Sequence, residues 1–440
     1  MSQIKLRITR KLYNQVVEDL LRPHEFASER VGFIFSDSIM DQQGNVTICF
    51  NSYNPVIDED YINDPSVGAR FGQNPINESI GFGLENNKGV FHVHMHEFSA
   101  SIPQFSDVDI KCTSPIAESC SRIIKTEVHG LLLIGKGKMN AIAWLPGHKD
   151  PVQVDQIIII DSPLVLSFPK SPLKKCLLER YNRQSFLGKH SEAIFNRIKI
   201  GVVGLGGGGS HIVQQLAHIG IKNYALFDHD HIDESNLNRL IGGTLQDVKL
   251  NAKKFDIATR MINNLHSDAK ILGGAQKWES LACELQSCDV VFGCVDSLTA
   301  RRDLEAECRR FLIPYIDIGM GIDRTVGKAP HIYGQVHLSI PGSSCLICRG
   351  FLNQDELAIE ATRYGEKGGR PQVVWSNGVL ASTAVGILAG LLTGWKQESD
   401  SNLHKTYDGN NHEMADSIYR MGYPSSCEHY NLNETGPIKL

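Results

Sequence analysis

The residues most able to do chemistry lie in two separate parts of the 440-residue chain. The first is a glycine-rich loop with Gly204, Gly206 and Gly207, which follows an apolar run at residues 198–203. Glycine lets an anion approach the main chain, and the free N–H groups at the start of a following helix attract phosphate. Asp228 ends the next apolar run, where its carboxylate can bind a ribose hydroxyl. The pattern predicts a nucleotide site, and a dehydrogenase that uses NAD would fit it equally well.

A polar segment that begins at Asp228 distinguishes these alternatives. Its sequence, D-H-D-H-I-D-E-S-N-L-N-R at residues 228–239, resembles the D-x-D…S-N-L-x-R segment of the ThiF family. That family comprises ATP-dependent enzymes that activate ubiquitin-like proteins. Further similar segments occur in the family's order: R-Y-N-R-Q at 180–184, K-F-D-I-A at 254–258, C-V-D at 294–296 and P-G…C-L-I-C at 341–348. The resemblance covers residues 180–430, and a dehydrogenase has no use for the S-N-L-x-R segment.

The resemblance implies a role for the polar residues of these segments. Adenylation joins a carboxylate to the α-phosphate of ATP, so cations are needed around the phosphate oxygens. Arg239 and Lys254 would supply them, with Lys253 and Lys249 as alternatives because the lysine follows later than the family spacing. The resemblance assigns ribose to Asp228, with Asp230 in the same cofactor-binding segment, phosphates to Asn236, Mg²⁺ to Asp296, and a neighbouring subunit's ATP site to Arg183. An arginine that reaches another subunit implies a homodimer.

The cysteines indicate a metal site rather than a disulfide framework. The 11 cysteines are an odd number spread along the chain, which is typical of a reduced, cytoplasmic protein. Cys345 and Cys348 resemble half of the family's zinc arm, and Cys427 and His429 are available near the C-terminus as the other half. The family often places a thioester cysteine after this arm, but residues 349–371 contain none. Either the thioester forms elsewhere in the chain, with Cys427 as a candidate, or the adenylate passes directly to a thiol partner.

The second chemical cluster is a run of alternating histidines at residues 92, 94 and 96. Alternation places their side chains on one face of a strand. Two histidines and an aspartate can hold Zn²⁺ with one position open for water, and a carboxylate is then needed as the general base. With Glu29 upstream and Asp109 downstream, the run resembles the E-x-x-G…H-x-H…S-x-x-D pattern of JAMM metalloproteases.

The JAMM resemblance covers roughly residues 5–160. It implies Glu29 as the base, His94, His96 and Asp109 as zinc ligands, and Ser106 as the residue that steadies the oxyanion. The pair His92 and His94 is an alternative register for the two histidine ligands. An inactive JAMM-like scaffold is the alternative to an active metal site.

The elements that must position these residues fall into two domains. After residue 196, strand-like and helix-like segments alternate, which predicts an α/β fold with a Rossmann-like, doubly wound and mostly parallel sheet. A mixed α+β, JAMM-like domain precedes it at residues 1–165, with a polar surface insertion at 58–80. Residues 166–195 form a linker and the helix that carries Arg183, and residues 196–440 form the adenylation domain with its zinc arm.

Composition excludes several other classes of function. Hydrophobic residues make up 42% of the chain and charged residues 21%, which is ordinary for a globular protein. The formal net charge of −5 gives no basic field for nucleic acid, which argues against a tRNA substrate. The N-terminus lacks the apolar core of a signal peptide. The uncharged stretch 372–395 contains several polar residues, so a buried helix is favoured over a membrane span.

The two resemblances together predict a bacterial enzyme that activates the C-terminal glycine of a ubiquitin-like protein with ATP, Mg²⁺ and structural Zn²⁺. A fused JAMM-like domain with a second, catalytic Zn²⁺ would trim or deconjugate the same tail. The implied partners are a conjugating enzyme or thiol acceptor, in a conjugation system of the antiphage type. The alternatives are an inactive JAMM-like clamp that recruits a partner, or adenylation of a peptide or a tRNA base.

Overall fold

The computed structural model describes residues 3–96, 102–174, 178–324, 327, 329–353, 355, 357, 371–396, 403–418 and 422–437. The chain divides into two compact units. Unit 1 comprises Met1–Asp161, Val165–Pro172 and Asn431–Leu440, and unit 2 comprises Ser162–Leu164 and Leu173–Tyr430.

Unit 1 is built on a nine-stranded mixed sheet with helices on both faces. Its elements are β1 (Ile4–Thr9), α1 (Arg10–Leu20), β2 (Val31–Met40), β3 (Val46–Pro55), α2 (Asn74–Asn86), β4 (Gly89–Met95), α3 (Asp107–Ile123), β5 (His129–Ile134), β6 (Met139–Trp144), β7 (Val152–Gln153), β8 (Gln156–Ile160) and β9 (Val165–Ser167). The strand order is β7-β6-β5-β4-β2-β3-β1-β8-β9. Strand β4 runs antiparallel to β2 and parallel to β5.

The alternation of side chains along β4 decides which face of the sheet carries the histidines. Phe91 and Val93 point into the core that α1 covers, where Leu12 and Val16 also pack. His92 and His94 therefore point to the opposite face, which α2 and α3 cover. The alternating run predicted from the sequence is thus one face of a central strand.

Unit 2 contains an eight-stranded sheet. Its elements are a 3-10 helix (Glu179–Leu187), α4 (Ser191–Phe195), β10 (Lys199–Val203), α5 (Gly207–Ile219), β11 (Asn223–Phe227), a short 3-10 turn (Glu234–Asn236), α6 (Leu245–Lys249), α7 (Lys254–Asn263), β12 (Lys270–Gly274), a second 3-10 turn (Trp278–Leu281), α8 (Ala282–Gln286), β13 (Val290–Gly293), α9 (Leu298–Arg310), β14 (Tyr315–Asp323), β15 (His331–Ser339), α10 (Val374–Thr393), β16 (His404–Asp408) and β17 (Glu413–Asp416). The strand order is β12-β11-β10-β13-β14-β15-β16-β17.

The first five strands in that order are parallel, as the alternation of strands and helices predicts. The antiparallel extension, in which β15, β16 and β17 follow β14, was not predicted from the sequence. The chain proceeds outward from β10 through β11 to β12, and it then returns to form β13 on the other side of β10. This reversal is the switch point at which open α/β sheets bind ligands, beside the carboxyl ends of the strands.

The uncharged stretch near the C-terminus forms α10. By its length and composition alone, this helix is long and apolar enough to cross a membrane. In unit 2 it packs against α5, β14 and β15. Leu380, Ala384 and Leu388 are almost completely buried in these contacts. The structure therefore agrees with the prediction of a buried helix.

The compact units differ from the predicted domain limits at the C-terminus. Residues 196–440 are predicted from the sequence to form one domain, whereas Asn431–Leu440 groups with unit 1. The physical reason is a set of buried hydrogen bonds. Thr435 donates its hydroxyl to Asp37 at 3.0 Å and accepts the side-chain amide of Asn51 at 3.1 Å. Lys88 also binds Asp37, at 2.7 Å.

Thr435→Val should lower the free energy of unfolding of unit 1 by about 1–2 kcal/mol, because the buried Asp37 carboxylate loses a donor that valine cannot replace. Hydrogen exchange of the β2 and β3 amides as a function of urea measures this unit separately. Thr126→Val is the matched control, since Thr126 is exposed and its hydroxyl donates to Asn87. Equal exchange in both variants would contradict the prediction.

Candidate functional site

A cavity of about 420 Å³ lies beside the carboxyl ends of the parallel strands in unit 2. Several sequence-predicted residues line it, namely Gly204, Gly206, Gly207, Asp228, Asp230, Arg239, Lys254 and Asp296. These residues come from four separate segments of the chain, and only the sheet topology brings them together.

The glycine-rich loop lines this cavity. Gly204 has a φ of +87°, a conformation that favours glycine. Gly206 precedes α5 and offers no side chain to cap it, which leaves the first N–H groups of the helix available to an anion. At Gly207 a Cβ atom would lie only 2.5 Å from Nδ2 of Asn377, so a larger residue would have to displace that side chain.

Asp228 lies at the end of β11, as the sequence predicts. Its carboxylate accepts hydrogen bonds from the backbone N–H groups of Leu205 (2.6 Å) and Asp230 (2.8 Å), which fixes its orientation at the loop. Burial raises the pKa of Asp228, and the positive charge of Lys254 and the two backbone donors oppose that rise.

Lys254 is the first residue of α7, and its ammonium group donates to Asp230 at 2.9 Å. Burial alone would raise the pKa of Asp230, but the hydrogen bond and charge of Lys254 outweigh it, so this pKa is lowered. Lys253 and Lys249 are exposed and are absent from the described lining of the cavity. The geometry therefore favours Lys254 among the three lysines.

Arg239 is held at the cavity by its own loop, since its guanidinium donates to the carbonyl of Ser235 at 2.7 Å. Asn236 and Arg183 do not belong to the lining that the structure describes. Asn236 is buried, and its amide donates to Asp233 at 2.9 Å, which stabilises the turn before Arg239. Arg183 is exposed on the 3-10 helix.

Asp296 follows β13 and is exposed to the cavity, with Gln372 at 3.5 Å from its carboxylate. The lining residues that were not proposed from the sequence include Arg301, Gln372 and Asn377. Arg301 is buried and forms an ion pair with Asp317. The available signal for Gln372 and Asn377 was their polarity within an otherwise apolar, uncharged stretch.

A second cluster in unit 2 has the composition of a zinc site. Cys345, Cys348, Cys427 and His429 place one ligand atom each within 4.8 Å of one another. The Sγ atom of Cys348 lies 3.5 Å from Cys345 Sγ, 3.7 Å from Cys427 Sγ and 3.2 Å from His429 Nδ1. This Cys₃His set matches the ligands of structural zinc. Cys427 and His429 therefore lie beside the C-x-x-C pair.

Buried charged residues position the cysteine loop. Glu305 accepts the backbone N–H of Leu346 at 3.0 Å. Arg309 donates to the carbonyls of Ser343 and Ser344 at 3.1 and 3.0 Å. These bonds hold the loop from inside unit 2, as outer partners of a metal site do.

The third cluster lies in unit 1 and consists of His94, His96 and Asp109, whose ligand atoms also fall within 4.8 Å of one another. Nε2 of His94 is 3.4 Å from Asp109, and Nε2 of His96 is 3.6 Å from it. Burial alone would raise the pKa of Asp109, but its bonds to His94 and Ser106 hold that pKa well below its usual range. The structure thus favours the 94/96 register over 92/94.

Glu29 and Ser106 occupy different positions around this cluster. His94 lies opposite Val31 in the β2–β4 pairing, and Glu29 precedes Val31 by two residues. Glu29 lines the same cavity as His94 and Asp109. Ser106 instead caps α3, since its hydroxyl accepts the N–H of Asp109 at 3.1 Å while Asp109 accepts the N–H of Ser106 at 2.7 Å. Ser106 therefore orients Asp109 here.

Comparisons with known proteins address unit 2. The model of the ThiF family matches residues 180–423. The molybdopterin-synthase adenylyltransferase of Haemophilus influenzae is 32% identical over 163 residues, 36% of this chain and 62% of that protein. Ubiquitin-like modifier-activating enzyme 5 of Mus musculus is 25% identical over 211 residues, 44% of this chain and 47% of that protein. The chain thus spans less than two thirds of either relative's length.

Among solved structures, E. coli MccB with ATP aligns with 55% of this chain and 71% of its own, at 19% identity and a TM-score of 0.45. The family assignment rests instead on the match at residues 180–423, which is more than half of the chain and includes the glycine loop, Arg239, Lys254 and Asp296. The chain belongs to the ThiF family.

Proposed function

We propose that unit 2 adenylates the C-terminal carboxylate of a ubiquitin-like protein. The observation that carries this proposal is the single cavity in which the open start of α5 faces Asp228, Arg239, Lys254 and Asp296. Anion-binding N–H groups, two cations and an exposed carboxylate are what ATP and its departing pyrophosphate require. The names of the relatives, an adenylyltransferase and a modifier-activating enzyme, point to the same class of reaction.

Each residue has a defined task in this proposal. Phosphates are bound by the N–H groups after Gly206 and by the side chain of Arg239. When ATP enters, the ammonium group of Lys254 leaves Asp230 and binds a phosphate oxygen instead. Asp228 binds the ribose. Asp296 fits Mg²⁺ as an exposed carboxylate at the cavity, and the ion would neutralise phosphate charge. ATP–pyrophosphate exchange that depends on a Gly-Gly-terminated protein tests the proposal.

The route after adenylation follows from the positions of the cysteines. Cys294 lines the cavity, but burial raises the pKa of its thiol well above the usual range, which makes it a poor nucleophile. Cys427 belongs to the zinc cluster. Both observations favour direct transfer from the adenylate to a thiol partner over a thioester on Cys294 or Cys427.

The exposed position of Arg183 supports the proposal of a homodimer, in which this arginine reaches the ATP site of a second copy. In a mixture of Arg183→Ala and Lys254→Ala chains, some dimers would then hold one site with both residues intact. Such a mixture should regain exchange activity that neither variant shows alone.

A second proposed function is metal-dependent hydrolysis at the tail of the same protein by unit 1. It is supported by the convergence of His94, His96 and Asp109 beside Glu29. Two imidazoles and one carboxylate fit Zn²⁺ with a position left open, and bound zinc supplies an activated water. Glu29 would accept the proton of that water, and Ser106 would hold Asp109 in place. An inactive clamp remains the alternative.

His94→Ala should lower the zinc content of the purified protein from about two equivalents to about one, because one ligand of a three-ligand site is lost. Plasma emission spectrometry measures the content. His148→Ala is the control, since His148 is exposed and lies outside the cluster. A single zinc in the unmodified protein, lost on substitution of Cys345 alone, would instead support the clamp.

A further inference from the structure

Gln372 lies beside the phosphate-binding part of the cavity in unit 2. Its side-chain oxygen packs against the start of α5, since a Cβ atom at Gly207 would lie 3.1 Å from Oε1. Its amide nitrogen lies 3.5 Å from the carboxylate of Asp296, which follows β13. Gln372 therefore stands between the anion-binding start of α5 and the carboxylate proposed for Mg²⁺.

The order of the strands indicates where a second substrate can enter this cavity. Four neighbouring strands follow the order β11-β10-β13-β14. Asp228 follows β11, the glycine loop follows β10 and Asp296 follows β13, so the proposed nucleotide extends from β11 towards β13. Ile318 and Met320 of β14 line the cavity beyond it, and α10, which Gln372 precedes, packs against β14. The group that attacks the α-phosphate is therefore expected on the β14 side, next to Gln372.

The amide of Gln372 has a donor available for that group. Its nitrogen carries two N–H groups, and Asp296 is its one acceptor among the residues that the structure describes. The separation of 3.5 Å is the outer limit of a hydrogen bond, so either N–H can turn to a stronger acceptor at small cost. Gln372 is half-buried at the cavity, where a ligand can reach it. An ionised carboxylate is the acceptor that such a donor binds best.

Asn377, in the first turn of α10, orients the amide of Gln372. Its Nδ2 lies 3.5 Å from Oε1 of Gln372 and donates to the carbonyl of Val373 at 3.2 Å. The side chain is 4% exposed, so its own position is fixed by packing. Because Nδ2 can only donate, it holds the oxygen of Gln372 towards itself and leaves the amide nitrogen facing Asp296 and the cavity.

Arg301 also lines this part of the cavity, but its charge is offset by a partner. Its guanidinium is buried and forms an ion pair with Asp317, which also accepts the hydroxyl of Tyr315 at 2.7 Å. Turning Arg301 towards a ligand would leave a buried carboxylate without its counter-ion, which costs free energy. A neutral amide has a further advantage, because it can position an attacking carboxylate without neutralising the charge that makes it a nucleophile.

We propose that Gln372 binds the terminal carboxylate of the substrate protein beside the α-phosphate of ATP, and that Asn377 is the positioning residue that orients Gln372. One carboxylate oxygen bonds to the α-phosphorus while the bond from phosphorus to the bridging oxygen of pyrophosphate breaks, and pyrophosphate leaves with that electron pair. Gln372 donates to the other carboxylate oxygen, which becomes the carbonyl oxygen of the acyl-adenylate. This role of Gln372 rests on the adenylation proposed above.

The test compares two stable ligands by isothermal titration calorimetry with the full-length protein. One is acetyl-glycylglycyl sulfamoyl-adenosine, a mimic of the adenylate that carries the acyl group of a Gly-Gly tail. The other is sulfamoyl-adenosine, which lacks the acyl group. The unmodified protein should bind the acyl ligand about tenfold more tightly. Gln372→Ala should reduce this ratio about fivefold, the effect of one lost hydrogen bond, and should keep the affinity for sulfamoyl-adenosine within about twofold.

Three further variants separate recognition of the acyl group from folding. Asn377→Ala should also lower the ratio, because the amide of Gln372 can then rotate. The double variant Gln372→Ala/Asn377→Ala should show the same ratio as Gln372→Ala alone, since Asn377 acts through Gln372. Gln276→Ala is the matched control, because Gln276 lines the same cavity but follows β12, on the nucleotide side. It should leave the ratio unchanged.

Three outcomes would overturn the proposal. Equal affinities of the unmodified protein for the two ligands would show that it has no acyl site. An unchanged ratio in Gln372→Ala, or an equal loss of affinity for both ligands, would remove Gln372 from recognition of the carboxylate. Additive losses in the double variant would overturn the positioning role of Asn377.

Failure of the proposed function is a separate result, the absence of ATP–pyrophosphate exchange with Gly-Gly-terminated proteins. A preference for the acyl ligand that Gln372→Ala removes would then still support the carboxylate site and would overturn only the protein substrate. Exchange that proceeds normally in Gln372→Ala, at the same KM for the protein substrate, would overturn the role of Gln372 and leave the proposed function intact.

Discussion

Lys254→Ala is expected to lower the rate of ATP–pyrophosphate exchange by about 100-fold or more, the usual consequence of removing one group that stabilises transition-state charge. In the structure Lys254 bonds Asp230 at the rim of the cavity, where its ammonium group can change partners as phosphate enters. The measurement is isotope exchange between pyrophosphate and ATP in the presence of the cognate Gly-Gly-terminated protein.

Lys249→Ala and Lys253→Ala are the matched controls, because both lysines are exposed and neither is part of the described cavity lining. Each should keep exchange within about twofold of the unmodified protein, as surface substitutions away from a site do. A large loss in Lys253→Ala with little loss in Lys254→Ala would show that the alternative register of the motif is correct.

A changed orientation of Asp230 is an alternative explanation for a loss of exchange in Lys254→Ala, in place of the loss of the lysine charge itself. Asp230→Asn tests it, since the amide keeps the size of the side chain but weakens the pairing with Lys254. Exchange in Asp230→Asn should fall less than in Lys254→Ala, because the lysine itself remains. A greater loss would assign the main contribution to the carboxylate.

Cys345→Ser should remove about one equivalent of zinc and lower the melting temperature of unit 2 by about 10 °C or more. Zinc bound at a structural site contributes directly to folding, and each kcal/mol lost shifts Tm by about 2–4 °C in a unit of this size. Cys345 lies 3.5 Å from Cys348 Sγ and 3.6 Å from His429 Nδ1, so its loss opens the cluster on two sides.

Cys283→Ser is the control for this experiment, because Cys283 is half-buried and lies outside the metal cluster. It should keep both the zinc content and the melting temperature. Differential scanning calorimetry with parallel metal analysis measures both quantities. An unchanged Tm in Cys345→Ser, together with full zinc content, would show that the four residues do not form a zinc site.

The sequence predicted most of the parallel part of unit 2 because strands such as β11 (Asn223–Phe227) and β13 (Val290–Gly293) are short, mostly apolar runs. It did not predict β15, β16 and β17 as an extension of the same sheet. Their pairing depends on contacts between distant segments, such as Val336 with Lys405, and on no local pattern. For the same reason it did not predict that Thr435 packs beside Asp37.

The candidate sites likewise combine features that local sequence predicts with features that only tertiary structure sets. Residue type and local spacing determined the glycine loop, the C-x-x-C pair and the alternating histidines, because those features depend on backbone conformation and ligand chemistry within a few residues. The position of Lys254 rather than Lys249 at the cavity, the position of His96 beside Asp109, and the capping of α3 by Ser106 depend on tertiary structure alone. Each of these depends on which side chains face one cavity, and that is set by the pairing of strands and the packing of helices that are far apart in the chain.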